Sequence, residues 1–147
     1  NSAVDHEYFM RLALAQSARA REQGEVPVGA VLVHAGQIIG QGFNCPIAQH
    51  DPTAHAEIQA IRAACLQLEN YRLPDQTTLY VTLEPCLMCA GAIYWSQLGR
   101  LVFGASEDKR GFLSHGKDVL HPKTDVTAGI LAEESALLLK EFFSMRR

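Results

Sequence analysis

Two short segments of this chain carry side chains that a fold must bring together to make a single site. One is His55-Ala56-Glu57, and the other is Glu84-Pro85-Cys86-Leu87-Met88-Cys89. An imidazole and a pair of thiolates supply three protein ligands. A tetrahedral zinc ion held this way keeps its fourth position open for water, which separates catalytic zinc from structural zinc. Glu57 follows two residues after the histidine, a carboxylate placed to move protons rather than to bind metal. A closed structural zinc site or a plain thiol pair is the competing reading. C-x-x-C alone would not exclude it; the full ordered pattern, with Pro85 ahead of the first cysteine, disfavours it.

The remaining pattern predicts what carries these segments. Helices are expected over Asp5 to Gln23, Thr53 to Leu68, Cys86 to Ser96 and Ile130 to Met145. Their apolar spacing follows a helical stripe: Phe9, Leu12, Ala13 and Ala20 in the first, Ile58, Ile61, Cys65 and Leu68 in the second, and Leu131, Leu138, Phe142 and Met145 in the last. Gly24 is suited to end the first helix. Strands are expected over Val28 to His34, Gln37 to Gly42, Thr78 to Leu83 and Leu101 to Gly104, with Ala35-Gly36 turning the first pair and a short fifth strand at Val126 to Ala128. Val31 to Val33 is almost continuously apolar, so this strand should be covered on both faces. Residues 44–52 and 105–125 read as loops. The hairpin implies antiparallel pairing and the strand-helix-strand crossovers imply parallel pairing. The expected fold class is therefore α/β, a three-layer α/β/α sandwich on a mixed sheet of about five strands.

At 147 residues the whole span 1–147 is expected to be one domain with a sizeable core. A formal net charge of −3 excludes a polycation, so any nucleic-acid ligand would have to meet a local basic patch. No apolar run reaches membrane-spanning length, and no basic stretch followed by an apolar one opens the chain. The four cysteines, two of them at metal spacing, fit a reduced, cytoplasmic protein better than a disulfide framework. Cys65 reads as a small core residue; Cys45 has no assigned role.

With His55 and Glu57 in the first turn of one helix and Cys86 and Cys89 in the first turn of another, two helix N-termini would face one metal. Their positive ends favour thiolate over thiol. The pattern H-x-E…P-C-x-x-C is that of zinc-dependent nucleobase and nucleoside deaminases. In that chemistry Glu57 takes a proton from an acidified water, passes it to a ring nitrogen and later to the departing amine.

Longer strings are more specific than the zinc motif. They are Glu25-Val26-Pro27-Val28-Gly29-Ala30-Val31, Gly42-Phe43-Asn44, His50-Asp51-Pro52-Thr53-Ala54-His55-Ala56-Glu57, Asn70-Tyr71-Arg72-Leu73, Leu79-Tyr80-Val81-Thr82-Leu83-Glu84-Pro85-Cys86, Met88-Cys89-Ala90-Gly91-Ala92 and the tail Phe142-Phe143-Ser144-Met145-Arg146-Arg147. Through them nearly the whole chain resembles the bacterial tRNA-specific adenosine deaminases, within the cytidine deaminase-like superfamily. The resemblance implies one zinc ion per chain on His55, Cys86 and Cys89, with Glu57 as proton shuttle. It implies that Asn44 hydrogen-bonds the target base and that Val28 and Leu83 wall its pocket. It further implies that Glu107 lies against RNA near the target and that Phe143, Arg146 and Arg147 face the RNA, with Lys109, Arg110 and Lys123 adding positive charge nearby. A tRNA anticodon stem-loop as partner and a homodimer follow from the same resemblance; Tyr94, Trp95 and Leu98 could supply an interface or belong to the core.

Two features depart from the better-known members. The stretch after Gly111 is shorter and carries Leu120-His121-Pro122-Lys123-Thr124, and Gly91-Ala92-Ile93-Tyr94-Trp95 is similar to bacterial guanine deaminases. His115 and His121 lie in that stretch, where a surface position is expected for both. Besides wobble adenosine deamination, two further readings therefore stand at this point: a free-base deaminase acting on guanine or cytosine, and a non-catalytic RNA-binding or partner subunit. Intact Glu57 weighs against the last. A laboratory-evolved variant acting on single-stranded DNA is also compatible with the sequence.

Overall fold

The computed structural model describes residues 3–145. The chain runs α1 (Ala3–Glu22), β1 (Gly29–His34), β2 (Gln37–Phe43), α2 (Pro46–Gln49), α3 (Ala56–Leu68), β3 (Thr78–Leu83), α4 (Leu87–Ser96), β4 (Arg100–Ala105), two 3-10 turns (Phe112–His115 and Lys117–Val119), β5 (Asp125–Thr127) and α5 (Ala132–Met145). The sheet has five strands in the order β2-β1-β3-β4-β5. β1 pairs antiparallel with β2 and with β3, while β3–β4 and β4–β5 are parallel. This is the expected mixed sheet, and the parallel half exists because α4 carries the chain back between β3 and β4.

Alternation along the central strands divides the interior in two. Ala30, Leu32, Leu79, Val81, Leu101 and Phe103 face one cluster, where Ala56, Ala60 and Ala64 of α3 and Ala90 and Ile93 of α4 meet them. Val31, Val33, Tyr80 and Val102 face the other, against Met10 and Ala13 of α1. α1 and α5 lie side by side on that second face, joined by Arg11–Glu134 at 3.9 Å and Arg21–Glu141 at 3.1 Å. Every residue of β1 from Gly29 to Val33 is buried, as its apolar run requires.

Local signals set several ends. α1 stops in a Schellman motif: Gly24 has φ +77°, its N–H donates to the Arg21 carbonyl, and the Glu25 N–H donates to Ala20, both at 3.0 Å. The β1–β2 turn places Ala35 and Gly36 both at positive φ (51° and 77°), the geometry whose twist matches a two-residue hairpin.

Other ends differ from the sequence reading. α3 starts at Ala56, not Thr53, because the Asp51 carboxylate captures the Thr53 N–H (2.9 Å) and hydroxyl (2.7 Å) in a local turn. Loop 44–52 contains α2, and the 105–125 stretch contains the two 3-10 turns. α5 starts at Ala132 because Leu131 sits at φ 56° while the Gly129 and Ile130 N–H groups donate to the Phe103 carbonyl. The helical stripes also shift. In α1 the expected Ala13 and Ala20 are fully buried together with Met10 and Ser17, while Phe9 and Leu12 are half-buried, and Met145 is exposed. In α3 the inner face is Ala56, Ala60 and Ala64, with Ile58, Ile61 and Cys65 half-buried and Leu68 exposed. The reason is proximity to β2. A side chain at Gly42 would place its Cβ 2.7 Å from the Ala56 carbonyl oxygen and 2.8 Å from the Ala60 nitrogen, so only small residues fit where helix meets strand.

Candidate active site

His55 and Cys86 hold equivalent places. Each is the N-cap of its helix, in extended backbone (φ −76°, ψ 158° and φ −75°, ψ 175°), and neither uses its side chain to cap. The sequence reading put both inside the first turn; the step back to the N-cap is what frees their side chains to point beyond the helix end. Cys89, one turn into α4, is fully buried behind them. His55 Nδ1 lies 3.6 Å from Cys86 Sγ and 3.5 Å from Cys89 Sγ, and all three ligand atoms fall within 4.8 Å of one another. Bonds of about 2.3 Å to sulfur and about 2.0 Å to nitrogen at tetrahedral angles set sulfur and nitrogen about 3.5 Å apart. The donor set and its spacing therefore fit zinc, and a soft, doubly sulfur-ligated site favours it over harder cations.

On protons alone the site is already polarised. The Cys86 thiol is held down to about 4, chiefly by hydrogen bonding with Cys89 and then with His55. Cys89 moves the other way, since it shares its proton with Cys86 and is buried. His55 is raised by its hydrogen bond to Cys86. Burial pushes the Glu57 carboxyl up to about 7, and the nearby Cys86 charge adds to the effect. Such a carboxyl can hold or release a proton near neutrality, which general acid–base work requires.

A cavity of about 240 Å³ opens over these groups, lined by Val26, Val28, Asn44, His55, Glu57, Leu83, Glu84, Cys86, Glu107 and Arg110. It is smaller than the roughly 300–1,000 Å³ of pockets for drug-sized ligands, and suits a single planar base. The Asn44 N–H donates to the Val28 carbonyl at 3.0 Å. Its side-chain amide makes no hydrogen bond among the described residues, so the local turn-forming role open to an asparagine before Pro46 is not taken up, and both its donor and its acceptor remain for a ligand. A second, more polar cavity of similar volume lies at the opposite end of the parallel strands, lined by Arg100, Lys123 and Asp125 among others, far from these ligands.

Residues 3–105 match the family model described as the cytidine and deoxycytidylate deaminase zinc-binding region. The chain is 52% identical over 147 residues to the tRNA-specific adenosine deaminase of Haemophilus influenzae, an alignment covering 96% of this chain and 84% of the relative. It belongs to the tRNA-specific adenosine deaminase family. A solved structure from work on A-to-I editing by tRNA:A34 deaminases at the wobble position superposes with a TM-score of 0.84 at 43% identity, over 90% of this chain and 99% of that one. The guanine deaminase of Bacillus subtilis superposes less fully, with a TM-score of 0.66 at 42% identity over 70% of this chain and 66% of that one.

Among the residues that the resemblance to tRNA-specific adenosine deaminases singled out, His55, Glu57, Cys86, Asn44, Val28, Leu83 and Glu107 line one cavity. Phe143 is exposed on α5 and does not line it. Arg146 and Arg147 lie outside the described residues. Lys123 is not near the site, contrary to expectation. It pairs with Asp75 at 3.4 Å beside the start of β3, whereas the cavity lies at the strand's end, about 17 Å away along an extended chain. His121 packs on Tyr94 with ring centroids 5.4 Å apart, and neither it nor His115 reaches the cavity. Of the suggested interface residues, Leu98 is core and Trp95 is exposed.

Two buried glutamates were missed. Glu25 accepts the Ile47 and Ala48 N–H groups (3.2 and 2.8 Å), anchoring α2 beside Asn44. Glu84 accepts from the Glu107 and Leu113 backbones. Glu84 ends an apolar run and Glu25 directly precedes one, a signal that these carboxylates are held inside.

Proposed function

We propose that the chain hydrolyses adenosine to inosine at the wobble position of a tRNA anticodon, releasing ammonia. One observation carries the reading: an unengaged amide (Asn44), a buried carboxyl (Glu57) and two apolar walls (Val28, Leu83) converge on one base-sized cavity floored by His55 and Cys86. Zinc, one ion per chain on His55, Cys86 and Cys89, would supply an acidified water at neutral pH when bound. The amide of Asn44 offers a donor and an acceptor to the purine edge and holds the ring with its amino-bearing carbon over the ligands. Val28 and Leu83 clamp the ring faces and exclude bulk water. Glu57 accepts one proton of the attacking water and delivers it to N1 of the ring, then takes the second proton from the added oxygen and gives it to the departing amine. Water adds and ammonia leaves, so adenosine plus water balances inosine plus ammonia.

An anticodon loop presents its bases partly unstacked, which lowers the cost of splaying one into the cavity. Glu107 and Arg110 at the rim, with Lys109, Phe143, Arg146 and Arg147, form the proposed RNA footprint. The chain is read as a single deaminase domain working as a homodimer, and its substrate makes the cytoplasm its expected place of action. No described helix is long and apolar enough to cross a membrane.

Free guanine is the second candidate substrate, favoured by the likeness to the B. subtilis guanine deaminase. The test is ammonia release from an anticodon stem-loop, free adenosine, adenine, guanine and cytidine, with zinc-loaded protein. The stem-loop should be turned over at least 100-fold more efficiently than any free base or nucleoside, and Glu57→Ala should abolish turnover while retaining zinc. Preference for free guanine, or undiminished turnover by Glu57→Ala, overturns the reading.

A further inference from the structure

We propose that Glu84 is a positioning residue, whose carboxylate holds the substrate-facing loop 105–113 against the metal-binding segment. This deepens the reading above and rests on it for the identity of the substrate.

Glu84 is buried, between the last residue of β3 and the N-cap cysteine of α4. One carboxylate oxygen accepts the Glu107 N–H and the other accepts the Leu113 N–H, both at 3.0 Å. Its own N–H donates to the Ala105 carbonyl at 2.8 Å. One side chain and one amide thus grip both ends of the loop. Neighbours extend the seam: the Phe112 N–H donates to the Pro85 carbonyl at 2.9 Å, and Cys86 bridges antiparallel to Gly111. Gly111 leaves the room. A Cβ there would fall 2.2 Å from one Glu84 oxygen and 2.5 Å from the Glu107 carbonyl.

The loop is the part of the cavity rim that contributes Glu107 and Arg110. The Glu107 carboxylate turns back on its own chain and accepts the Lys109 and Arg110 N–H groups at 2.9 and 3.4 Å, which shapes the tip. Two carboxylates in series therefore place Arg110. Glu84 sets where the loop stands, and Glu107 sets its turn. Because Glu84 precedes the ligand Cys86 by two residues, the rim is referenced directly to the metal segment and not to the distant core. A charge-assisted bond to a backbone N–H is about twice as strong as a neutral one, which suits a loop that must hold its shape against a polyanion.

The test compares wild type with Glu84→Gln and Glu84→Ala as zinc-loaded, full-length protein. Amide exchange should accelerate at least tenfold at Glu107 and Leu113 in both variants. KM for the anticodon stem-loop should rise at least tenfold while kcat changes less than threefold and zinc content holds. A purely structural role would instead lower kcat with the active fraction and leave KM unmoved; that outcome, or exchange within twofold of wild type, overturns the proposal. Should the Ala variant fail to fold, the isosteric Gln decides, since an amide keeps one acceptor but turns its NH₂ toward the other N–H. Should wild type turn over a free base and no RNA, the function reading fails by itself. The exchange arm then still decides whether Glu84 holds the loop, and the KM comparison is made on that base.

Discussion

Burial and charge oppose each other at Glu57. Its carboxyl is raised to about 7 by desolvation, so in the metal-free protein the folded state binds this proton more tightly than the unfolded chain does. Its contribution to stability is full below the unfolded pKa near 4.5 and is lost as pH rises through about 7. Glu57→Gln removes that penalty. In urea titrations of metal-free protein the variant should gain on wild type by about 1–3 kcal/mol between pH 5 and pH 8, although its turnover is lost. Equal stability differences at both pH values would show that Glu57 ionises freely. Cys86→Ser exchanges the low-pKa thiol for a poor zinc ligand; metal content by atomic absorption should fall well below one ion per chain. Asn44→Ala removes an amide with no hydrogen-bond partner among the described residues. The fold should survive, and kcat/KM should drop about 10- to 100-fold, the value of one or two hydrogen bonds to a ligand.

Two helix starts make the site, and each is fixed by what lies under it. α3 reaches its place because its alanines sit on the glycines of β2. Gly42→Ala would push a Cβ to 2.5 Å from the Gln59 Cβ and onto the α3 backbone. We expect about 1–3 kcal/mol of destabilisation in urea together with a lower kcat, because His55 and Glu57 move with the helix. Loss of stability at unchanged kcat would mean that the helix slides without tilting. The strands were legible in the sequence through period and composition. The helix faces were less so: Ile58 and Leu68 look like natural core residues, yet alanine is buried in their place, because the spacing between α3 and β2 decides which side can face inward. Short local bonds, such as Asp51 with Thr53, set the helix starts and have no periodic signature.

Over the whole molecule, zinc affinity and fold are linked, because the ligands come from two helices that meet only in the native state. Chelation should lower the thermal midpoint as well as abolish turnover, and re-addition of zinc should restore both; an unchanged midpoint would mean the site is preformed without cost. A net charge of −3 means that RNA affinity must come from a patch. Stem-loop binding should weaken with salt, and neutralising Arg146 and Arg147 together should reduce the log–log slope by about 1.4. An unaltered slope removes them from the footprint.

The sequence by itself determined the candidate ligand trio, the neighbouring carboxylate proposed to carry protons and the two-sided burial of β1, because residue type, short spacing and apolar runs are local properties. Only the tertiary structure decided that Val28, Asn44, Leu83 and Glu107, from separate segments, share one cavity, that Lys123 stands at the far end of the sheet, and that Glu84 spends its charge on a loop more than twenty residues away. Those placements depend on strand register, on which helix face a glycine admits and on where a buried carboxylate finds its N–H partners, and none of these is encoded within any one stretch of chain.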